Sequence, residues 1–568
     1  MVQRIKRGTV IDMLAGIVAA VLIAGSLWQL EHGRAGLSFD ETTIGRTPAR
    51  VIARDDLTEP APAVVITHGF AGARRLMEPF AVTLARAGYV TVSVDFLAHG
   101  AHPDPLPGRI EGPGGAADLM IRQIGDVVAH VRSMPMVAGG HAVLGHSMAT
   151  DLMAKAAGEG LLGAPRATVA VSLFSPDVTA FSPPNMLVIT GGWEMGLTGE
   201  AFRVVNLTAN TLARPSAGIP ADARLKEPPP GTSESRRDVA QGFGDGAPIL
   251  DLIAAEGDTV GDFADGTARR IVFADGVEHI GVLFDPEGQA AAVDWLDRAF
   301  GRSSPPVEPD IRGPWIGLLF AGMALAIVPL SRLLPRLGDP TLGGGLRWPA
   351  LLVVAIVPAV LAPVIVVQVP SGMLPIVLGD YLSKHFLVQG LLTWLALWLA
   401  ARRGLATLPR RADLLAGAPR LGLAALALGL WVLAIFYVSL DRYAFPFWPT
   451  ADRVTVVPVM ALALLPWFLA DEWLTRRRPD GRGSGARTLA YALTKVIFVA
   501  SLALAVALDP GRLFFLLIVE PVILVFFLLY GVVSQVSMQR TGHPFVAGAG
   551  IAGALAWSIA VSFPLLAI

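Results

Sequence analysis

Residues 141–158 read HAVLGHSMATDLMAKAAG, an apolar run followed by a tight turn and then a helical pattern. Ser147 occupies the turn, with the small residues Gly145 and Ala149 on either side. A serine on a sharp strand-to-helix turn holds its Oγ exposed, and it needs small neighbours because backbone segments come close there. The start of the following helix also favours negative charge that develops nearby. The stretch predicts a nucleophilic serine, although the pattern alone also fits a serine in an ordinary glycine-rich turn.

The sequence around this stretch alternates between short apolar runs and helical patterns, from residue 37 to about residue 303. Segments such as 77–88 and 116–134 repeat apolar residues at three- and four-residue spacing, which is typical of helices. The runs between such segments are typical of buried strands: PAVVITHG (62–69), YVTVSVDF (89–96), HAVLGHS (141–147), TVAVSLF (168–174), NMLVIT (185–190) and RRIVFAD (269–275). This alternation predicts a mostly parallel sheet with helices on both faces.

Two segments depart from that alternation. Residues 37–56 are expected to form an antiparallel hairpin at the edge of the sheet. Residues 214–247 include KEPPPGTSESRRD and are rich in proline, glycine and charge, so they are expected to form a loop or a lid insertion.

A candidate general base follows the last of the apolar runs. His279 lies in the loop VEHIG (277–281), and the helical pattern AAVDWLDRAF (291–300) comes after it. A neutral imidazole can take a serine proton and return it to a leaving group near pH 7. His279 is therefore the predicted base, the alternative being a loop histidine without a role.

These motifs resemble the α/β-hydrolase family over roughly the first half of the chain. Residues 145–149 resemble its nucleophile elbow, Gly-x-Ser-x-Gly, with Ala149 in place of the last glycine. Residues 95–100 (DFLAHG) resemble the Asp-x-x-Gly-His-Gly loop often found after the fourth strand, which we interpret as a fold marker. A loop histidine before a closing helix, as His279 is here, is where the family has its catalytic histidine.

The resemblance implies the remaining members of the site. The acid that orients His279 would be Glu194, because NMLVITGGWE (185–194) matches the family's strand-Gly-x-x-acid layout. Asp177, after the preceding strand, is the alternative. The order Ser147, Glu194, His279 is the chain order of this fold. The oxyanion hole would be formed by the backbone N–H groups of Phe70, in the loop HGFAG (68–72), and of Met148, with His68 as a packing residue.

Composition indicates a membrane protein. Charged residues make up 16% of the chain and hydrophobic residues 53%, whereas ordinary globular domains carry about 25% charged residues. The net charge of −1 does not favour nucleic acid. The chain has no cysteine, which excludes disulfides and thiolate chemistry. It also has no recognisable metal or phosphate-binding motif, so neither metal nor cofactor is expected.

The apolar segments define the expected domain organisation. Residues 9–30 are long enough to cross a bilayer and predict an uncleaved anchor, with a cleaved signal peptide as the alternative. Eight further spans are expected near 313–331, 348–370, 384–401, 421–440, 454–474, 488–508, 513–536 and 544–566. We therefore predict four regions: a tail and anchor (1–36), an α/β-hydrolase domain (37–303), a linker (304–312) and an all-α polytopic membrane domain (313–568).

The positive-inside rule predicts the orientation of this nine-span arrangement. If the N-terminus is cytoplasmic, the cytoplasmic loops carry fourteen Arg or Lys residues and the opposite loops carry four. The four are Lys384, Arg442, Arg453 and Arg512. The hydrolase domain is then extracytoplasmic, and the compact loops suggest a bacterial inner membrane.

Charged residues inside expected spans are costly, and Lys495 and Glu520 are two of them. Lys495 and Glu520 lie on neighbouring antiparallel spans at depths about 10 Å apart, which argues against a direct pair. We expect Lys495 to extend to the membrane interface. Glu520 is the stronger functional candidate, with a structural hydrogen-bonded role equally open.

Together these features predict a membrane-embedded serine hydrolase that cleaves carboxylic esters, with small-molecule or lipid esters as substrates and membrane lipids as neighbours. One alternative is an acyltransferase that uses the same Ser–His–acid triad. Another is a transport or sensing protein whose hydrolase-like domain only binds a ligand.

Overall fold

The computed structural model contains two compact units. The sheet unit comprises Trp28–Ile316, Arg442–Pro446 and Leu566–Ile568, and the helical unit comprises Met1–Leu27, Gly317–Asp441 and Phe447–Leu565. The described residues are 7–108, 112–194, 196–219, 223–225, 249–251, 254–338, 341–411, 418–477 and 484–567. Most of the predicted lid insertion, namely residues 220–222 and 226–247, lies outside them.

The sheet unit contains an eight-stranded sheet with the order β1-β2-β4-β3-β5-β6-β7-β8. The strands are β1 Leu37–Ile44, β2 Thr47–Arg54, β3 Ala61–Thr67, β4 Val90–Val94, β5 Val137–His146, β6 Thr168–Val171, β7 Met186–Gly191 and β8 Arg269–Ala274. β1 pairs antiparallel with β2, and β2 with β4, which confirms the predicted edge hairpin. All other neighbouring strands are parallel.

Helices cover both faces of this sheet. They are α2 Glu78–Arg86, α3 Ala116–Arg132, α4 Met148–Gly158, α5 Leu197–Ala213 and α6 Pro286–Phe300. Successive side chains of β3 point to opposite faces of the sheet, so the core is divided into two layers. Val64 packs with residues of α2 and α6 on one face, and Val65 packs with residues of α3 and α4 on the other. The strand order and the two helical layers are those of the α/β-hydrolase fold, as the sequence predicts.

Shorter elements complete the sheet unit. Two-residue strands at Arg224–Leu225 and Ile249–Leu250 pair parallel to each other. The 3-10 turns are Arg74–Met77, Pro215–Ala217 and Gly281–Phe284.

A buried carboxylate joins the predicted linker to the rest of the sheet unit. Glu78 is fully buried and pairs with Arg50, with Arg312 at 2.5 Å and with Arg34 at 3.5 Å. Arg312 also pairs with Asp310 at 2.7 Å. Removing one partner of a buried ion pair typically costs about 3–5 kcal/mol, because the other charge remains desolvated. Residues 310–312 are therefore packed firmly within the sheet unit.

Nine helices among the described residues are long and apolar enough to cross a membrane, which confirms the nine spans expected from the sequence. The chain is an integral membrane protein. Seven of the spans lie within single helices: α1 Arg7–His32, α8 Trp348–Val366, α9 Gly379–Arg402, α11 Ala451–Arg476, α12 Ser484–Leu508, α13 Leu516–Thr541 and α14 Phe545–Ser562. The spans Arg312–Leu333 and Ala418–Asp441 begin with α7 Arg312–Leu325 and α10 Ala418–Phe436 and continue through shorter helical segments. Short helical segments lie at Ile327–Leu330, Ser331–Leu333, Tyr437–Asp441 and Pro510–Leu513.

The expected position of Lys495 is wrong. Its side chain is buried, and Nζ lies 2.6 Å from Oδ2 of Asp471 on α11. The other oxygen of Asp471 accepts a hydrogen bond from Thr494 Oγ1 at 2.9 Å. The ion pair with Asp471 lowers the free-energy cost of a buried charge on Lys495. The side chain therefore does not need to extend to the membrane interface.

Candidate active site

Ser147 lies on a sharp turn between β5 and α4. Its backbone has φ 54° and ψ −121°, a sparsely populated conformation that costs about 1–3 kcal/mol and persists only where the surroundings enforce it. A Cβ on Gly145 would lie 2.6 Å from Met153 Cε, so a larger residue does not fit there without displacing Met153. Ala149, which replaces the family's last glycine, is fully buried. The local sequence thus permits the strained turn that exposes Ser147.

Residues far apart in the chain meet at this turn. The Oγ of Ser147 lies 2.8 Å from Nε2 of His279, and Nδ1 of His279 lies 2.5 Å from Oε1 of Glu194. His279 follows β8, and Glu194 follows β7. The carboxyl ends of parallel strands meet at one edge of a sheet, which brings these loops together.

Two hydrogen bonds fix the second oxygen of Glu194. Oε2 accepts from the backbone N–H of Gly191 at 2.6 Å and from Ser172 Oγ at 2.9 Å. The residue is buried. Ser172 is a residue that sequence reasoning missed; the only signal was its position directly after β6, beside the strand that carries Glu194.

The hydrogen bonds determine the proton positions on His279. An ionised carboxylate only accepts hydrogen bonds, so Nδ1 of His279 carries the hydrogen that faces Glu194. In the neutral ring, Nε2 then has a lone pair directed at the hydroxyl of Ser147. The three side chains have the arrangement of nucleophile, base and orienting acid.

Asp177, the alternative acid, does not join this group. Its carboxylate is half exposed and lies 3.7 Å from Nζ of Lys155. Its backbone N–H donates to Ser175 Oγ. The structure therefore brings Glu194, and not Asp177, to His279.

The two predicted oxyanion donors belong to chain segments next to Ser147. Met148 is the first residue of α4, where backbone N–H groups have no partner within the helix. Phe70 follows Gly69, and a Cβ on Gly69 would lie 2.9 Å from Cβ of Ser147. The loop that carries Phe70 thus runs directly beside the serine, and only a glycine permits this approach.

Two buried histidines hold the loops of the site. His68 has Nδ1 at 2.8 Å from Gly69 O, and its Nε2 accepts from the Phe96 N–H at 3.0 Å. Nε2 of His146 lies 2.9 Å from the carbonyl oxygen of His279. Burial lowers the pKa of His68 to about 4 and the pKa of His146 well below its ordinary value. Both rings are neutral at pH 7, and sequence reasoning missed the contact of His146 with the loop of His279.

The loop after β4 is held by its aspartate. Asp95 is fully buried, pairs with Arg74 and accepts from the backbone N–H of Ala101 at 2.9 Å. A Cβ on Gly100 would clash with the Asp95 carboxylate. His99 and His102 take part in local loop hydrogen bonds, to Leu97 O and from the Asp104 N–H.

Large apolar side chains are exposed in the loops that follow β6 and β7. Trp193, next to Glu194, is 68% exposed, and Phe174, two residues after Ser172, is 52% exposed. Phe181 is 47% exposed in the same connection between β6 and β7.

The side chains that meet at Ser147 have an acid–base character. Among the described residues, no group of three or more His, Asp or Glu side chains is arranged to hold a metal ion. The chemistry that these side chains support is nucleophilic attack by Ser147 with proton transfer through His279.

Several solved structures resemble about half of the chain. Dienelactone hydrolase from Anabaena variabilis ATCC 29413 is 12% identical, covering 47% of this chain and 98% of that chain at a TM-score of 0.27. A membrane phospholipase A, titled a novel bacterial virulence factor, is 12% identical, covering 50% and 96% at a TM-score of 0.27. A lipase in its open form is 17% identical, covering 47% and 100% at a TM-score of 0.25.

The sequence itself matches no family model and no curated protein. The fold assignment therefore rests on the strand order and the helical layers, and the interpretation of the site rests on its geometry.

Proposed function

We propose that the sheet unit is a serine hydrolase that cleaves carboxylic esters through an acyl–Ser147 intermediate. The observation that carries this proposal is the continuous hydrogen-bonded chain from Ser147 through His279 to Glu194. A serine hydroxyl is a weak nucleophile at neutral pH, and an adjacent oriented base is what activates it.

Acylation begins when Oγ of Ser147 attacks the ester carbonyl carbon while Nε2 of His279 takes the hydroxyl proton. The carbonyl oxygen becomes an oxyanion, which the N–H groups of Phe70 and Met148 stabilise. One such donor is worth about 10²–10³ in kcat in other hydrolases. The tetrahedral intermediate then breaks its bond to the alkoxy oxygen, which receives the proton from His279 and leaves as the alcohol.

Deacylation repeats the sequence with water. His279 takes a proton from the water, whose oxygen attacks the acyl carbon, and the proton passes to Oγ of Ser147 as the carboxylic acid leaves. Glu194 keeps its hydrogen bond to Nδ1 of His279 and stabilises the imidazolium that forms twice in each cycle.

The exposed apolar side chains in the loops after β6 and β7 support an ester with an apolar acyl chain. Trp193, Phe174 and Phe181 offer large apolar surfaces in the loops after β6 and β7. Each methylene removed from water contributes about 0.8 kcal/mol. We propose lipid-like or other amphipathic esters as the substrate class.

A panel of p-nitrophenyl esters tests this function. The purified full-length protein is expected to release p-nitrophenol and free acid, with kcat/KM about tenfold higher for the octanoate than for the acetate, equivalent to burying about two methylenes. The products are measured by absorbance and by mass spectrometry.

Added alcohol distinguishes hydrolysis from acyl transfer. With glycerol as a competing nucleophile, a hydrolase still yields mainly the free acid. Acylated glycerol as the main product would instead identify an acyltransferase, and no turnover of any ester would argue for a domain that only binds ligands.

We propose that the sheet unit is extracytoplasmic in a bacterial inner membrane. The excess of Arg and Lys in one set of loops supports this orientation. Because the chain has no cysteine, single-cysteine variants report exposure without background. In intact bacterial cells, a membrane-impermeant maleimide is expected to label Glu59→Cys, which is exposed between β2 and β3.

The matched position for this test is Arg403→Cys, exposed just after α9 in a loop predicted to be cytoplasmic. It is expected to react only after the cells are permeabilised. The reverse labelling pattern would invert the orientation, and the unsubstituted chain gives the baseline.

A further inference from the structure

A cavity of about 650 Å³ lies in the helical unit between α12 and α13. Ligand pockets in proteins typically have volumes of about 300–1,000 Å³. Its lining includes the basic residues Arg476, Arg487 and Lys495 and the apolar residues Leu524, Leu528 and Val532. The cavity is distinct from the catalytic site, since all its lining belongs to the helical unit.

The lining is polar at one end and apolar at the other. Arg487 is near the start of α12, and Gln535 and Gln539 are near the end of α13. Leu524 lies about 20 Å along α13 from Gln539, at 1.5 Å per residue. Apart from Lys495, which is deeper on α12, the charged and amide lining therefore lies near the ends of these spans and the apolar lining at greater depth in the membrane.

The polar end presents positive charge. The described lining of the cavity includes Arg476 and Arg487 at this end, Lys495 deeper along α12, and no carboxylate. Asp471 pairs with Lys495 at 2.6 Å, and Glu472 pairs with Arg476 at 2.8 Å. Neither carboxylate lines the cavity.

Arg487 is the lining residue whose positive charge is not neutralised by either of these ion pairs. It is exposed, and no carboxylate of the described part of the chain lies within ion-pair distance of it. An anion in the cavity would thus meet cations directly, while the balancing carboxylates are behind them.

The wall between the two helices is built from packed and hydrogen-bonded groups. Tyr491 Oη donates to the carbonyl oxygen of Phe527 at 2.6 Å, which joins α12 to α13. Nζ of Lys495 lies 3.8 Å from the centre of the Tyr491 ring. A Cβ on Gly531 would lie 3.0 Å from Cε1 of Tyr491, so this glycine admits the ring. The ammonium group of Lys495 is therefore held in position before any ligand binds.

We propose that this cavity binds an anionic phospholipid, with its phosphate at Arg476 and Arg487 and an acyl chain along Val532, Leu528 and Leu524. The three apolar side chains are exposed on the helical unit, where a bilayer supplies acyl chains. Basic pockets between membrane helices suit phosphate headgroups because several charge-assisted hydrogen bonds form at once.

Native mass spectrometry of the full-length chain in detergent tests the proposal. The Ser147→Ala form is used so that hydrolysis cannot consume the lipid, and this makes the result independent of the proposed function. Dioleoyl-phosphatidylglycerol is expected to bind with a lower Kd than dioleoyl-phosphatidylcholine, whose acyl chains are identical. Arg487→Gln should raise the Kd for phosphatidylglycerol about five- to tenfold, the effect of one basic residue near a phosphate.

Matched variants separate the cavity from general membrane effects. Arg403→Gln removes an exposed arginine that does not line the cavity and should leave the Kd unchanged. Leu528→Trp, which fills the apolar end, should raise the Kd, whereas Leu462→Trp, at an equally lipid-exposed position on α11, should not.

Two results would overturn the proposal. One is equal binding of the two phospholipids with no effect of Arg487→Gln. The other is displacement of phosphatidylglycerol by oleate at lower concentration, which would identify a carboxylate amphiphile as the occupant.

Discussion

Replacing Ser147 by alanine is expected to lower kcat/KM for ester hydrolysis by about 10⁴–10⁶-fold, since loss of the nucleophile removes the whole acyl-enzyme route. The residual rate would come from the oxyanion donors and substrate binding alone. The Oγ of Ser147 is 2.8 Å from His279, within reach for proton transfer in the structure as it stands. Steady-state kinetics on the best ester of the panel and covalent labelling with a fluorophosphonate measure the effect.

The control for this substitution is Ser133→Ala, at an exposed serine after α3 whose hydroxyl donates to His130 O. It should label and turn over as the unsubstituted chain does. Equal fluorophosphonate labelling with and without Ser147 would show that another residue is the nucleophile. Absence of labelling in the unsubstituted chain would contradict the catalytic proposal altogether.

The parts of the site that sequence could predict are those set by local chemistry. The turn at Ser147 needs small residues and a strand before a helix, and all of these are contiguous in residues 141–158. His279 could be predicted because it follows the last strand, and the fold's chain order fixes where such a loop lies. The family's layout favours Glu194 over Asp177 as the acid. In the structure, Oε1 of Glu194 lies 2.5 Å from Nδ1 of His279.

Contacts between distant elements were beyond sequence reasoning. Ser172 reaches Glu194, and His146 reaches the carbonyl of His279, through loops whose paths depend on the packed sheet. No local pattern specifies such pairs, because hydrogen-bond partners come from three-dimensional proximity. The buried ion pairs of Glu78 with Arg50 and with Arg312 could not be predicted for the same reason. Glu78 and Arg312 are even farther apart in sequence than the residues of the active-site contacts.

The error at Lys495 has a related cause. Periodicity predicts that α11 and α12 span the membrane, but it does not say which of their faces meet. Both helices are apolar almost all round, so a charge on one gives no indication of its partner on the other. Only the packed structure shows that Asp471 faces Lys495.

Replacing Glu194 by glutamine is expected to lower kcat by about 10⁴-fold while the fold is retained. The reason lies in the fixed donors around the carboxylate. The N–H of Gly191 can only donate to the Oε2 position, so the amide oxygen of the introduced glutamine must take that place. The amide NH₂ then faces Nδ1 of His279, which is 2.5 Å from the other oxygen in the native chain. Nδ1 must accept, the ring proton moves to Nε2, and the base that faces Ser147 is lost.

Two further substitutions separate this tautomer effect from lost packing. Glu194→Asp keeps an acceptor for both Gly191 and His279 but shortens the side chain, so kcat should fall by about 10²-fold, as a displacement of about 1 Å produces. Asp177→Asn, at the alternative acid near Lys155, should change kcat less than about twofold, since a surface ion pair contributes little. If Asp177→Asn proved the more damaging change, Asp177 rather than Glu194 would be the acid in the working enzyme. The ranking of the three variants, measured as kcat on one ester, therefore tests the orientation of His279 separately from the presence of the nucleophile.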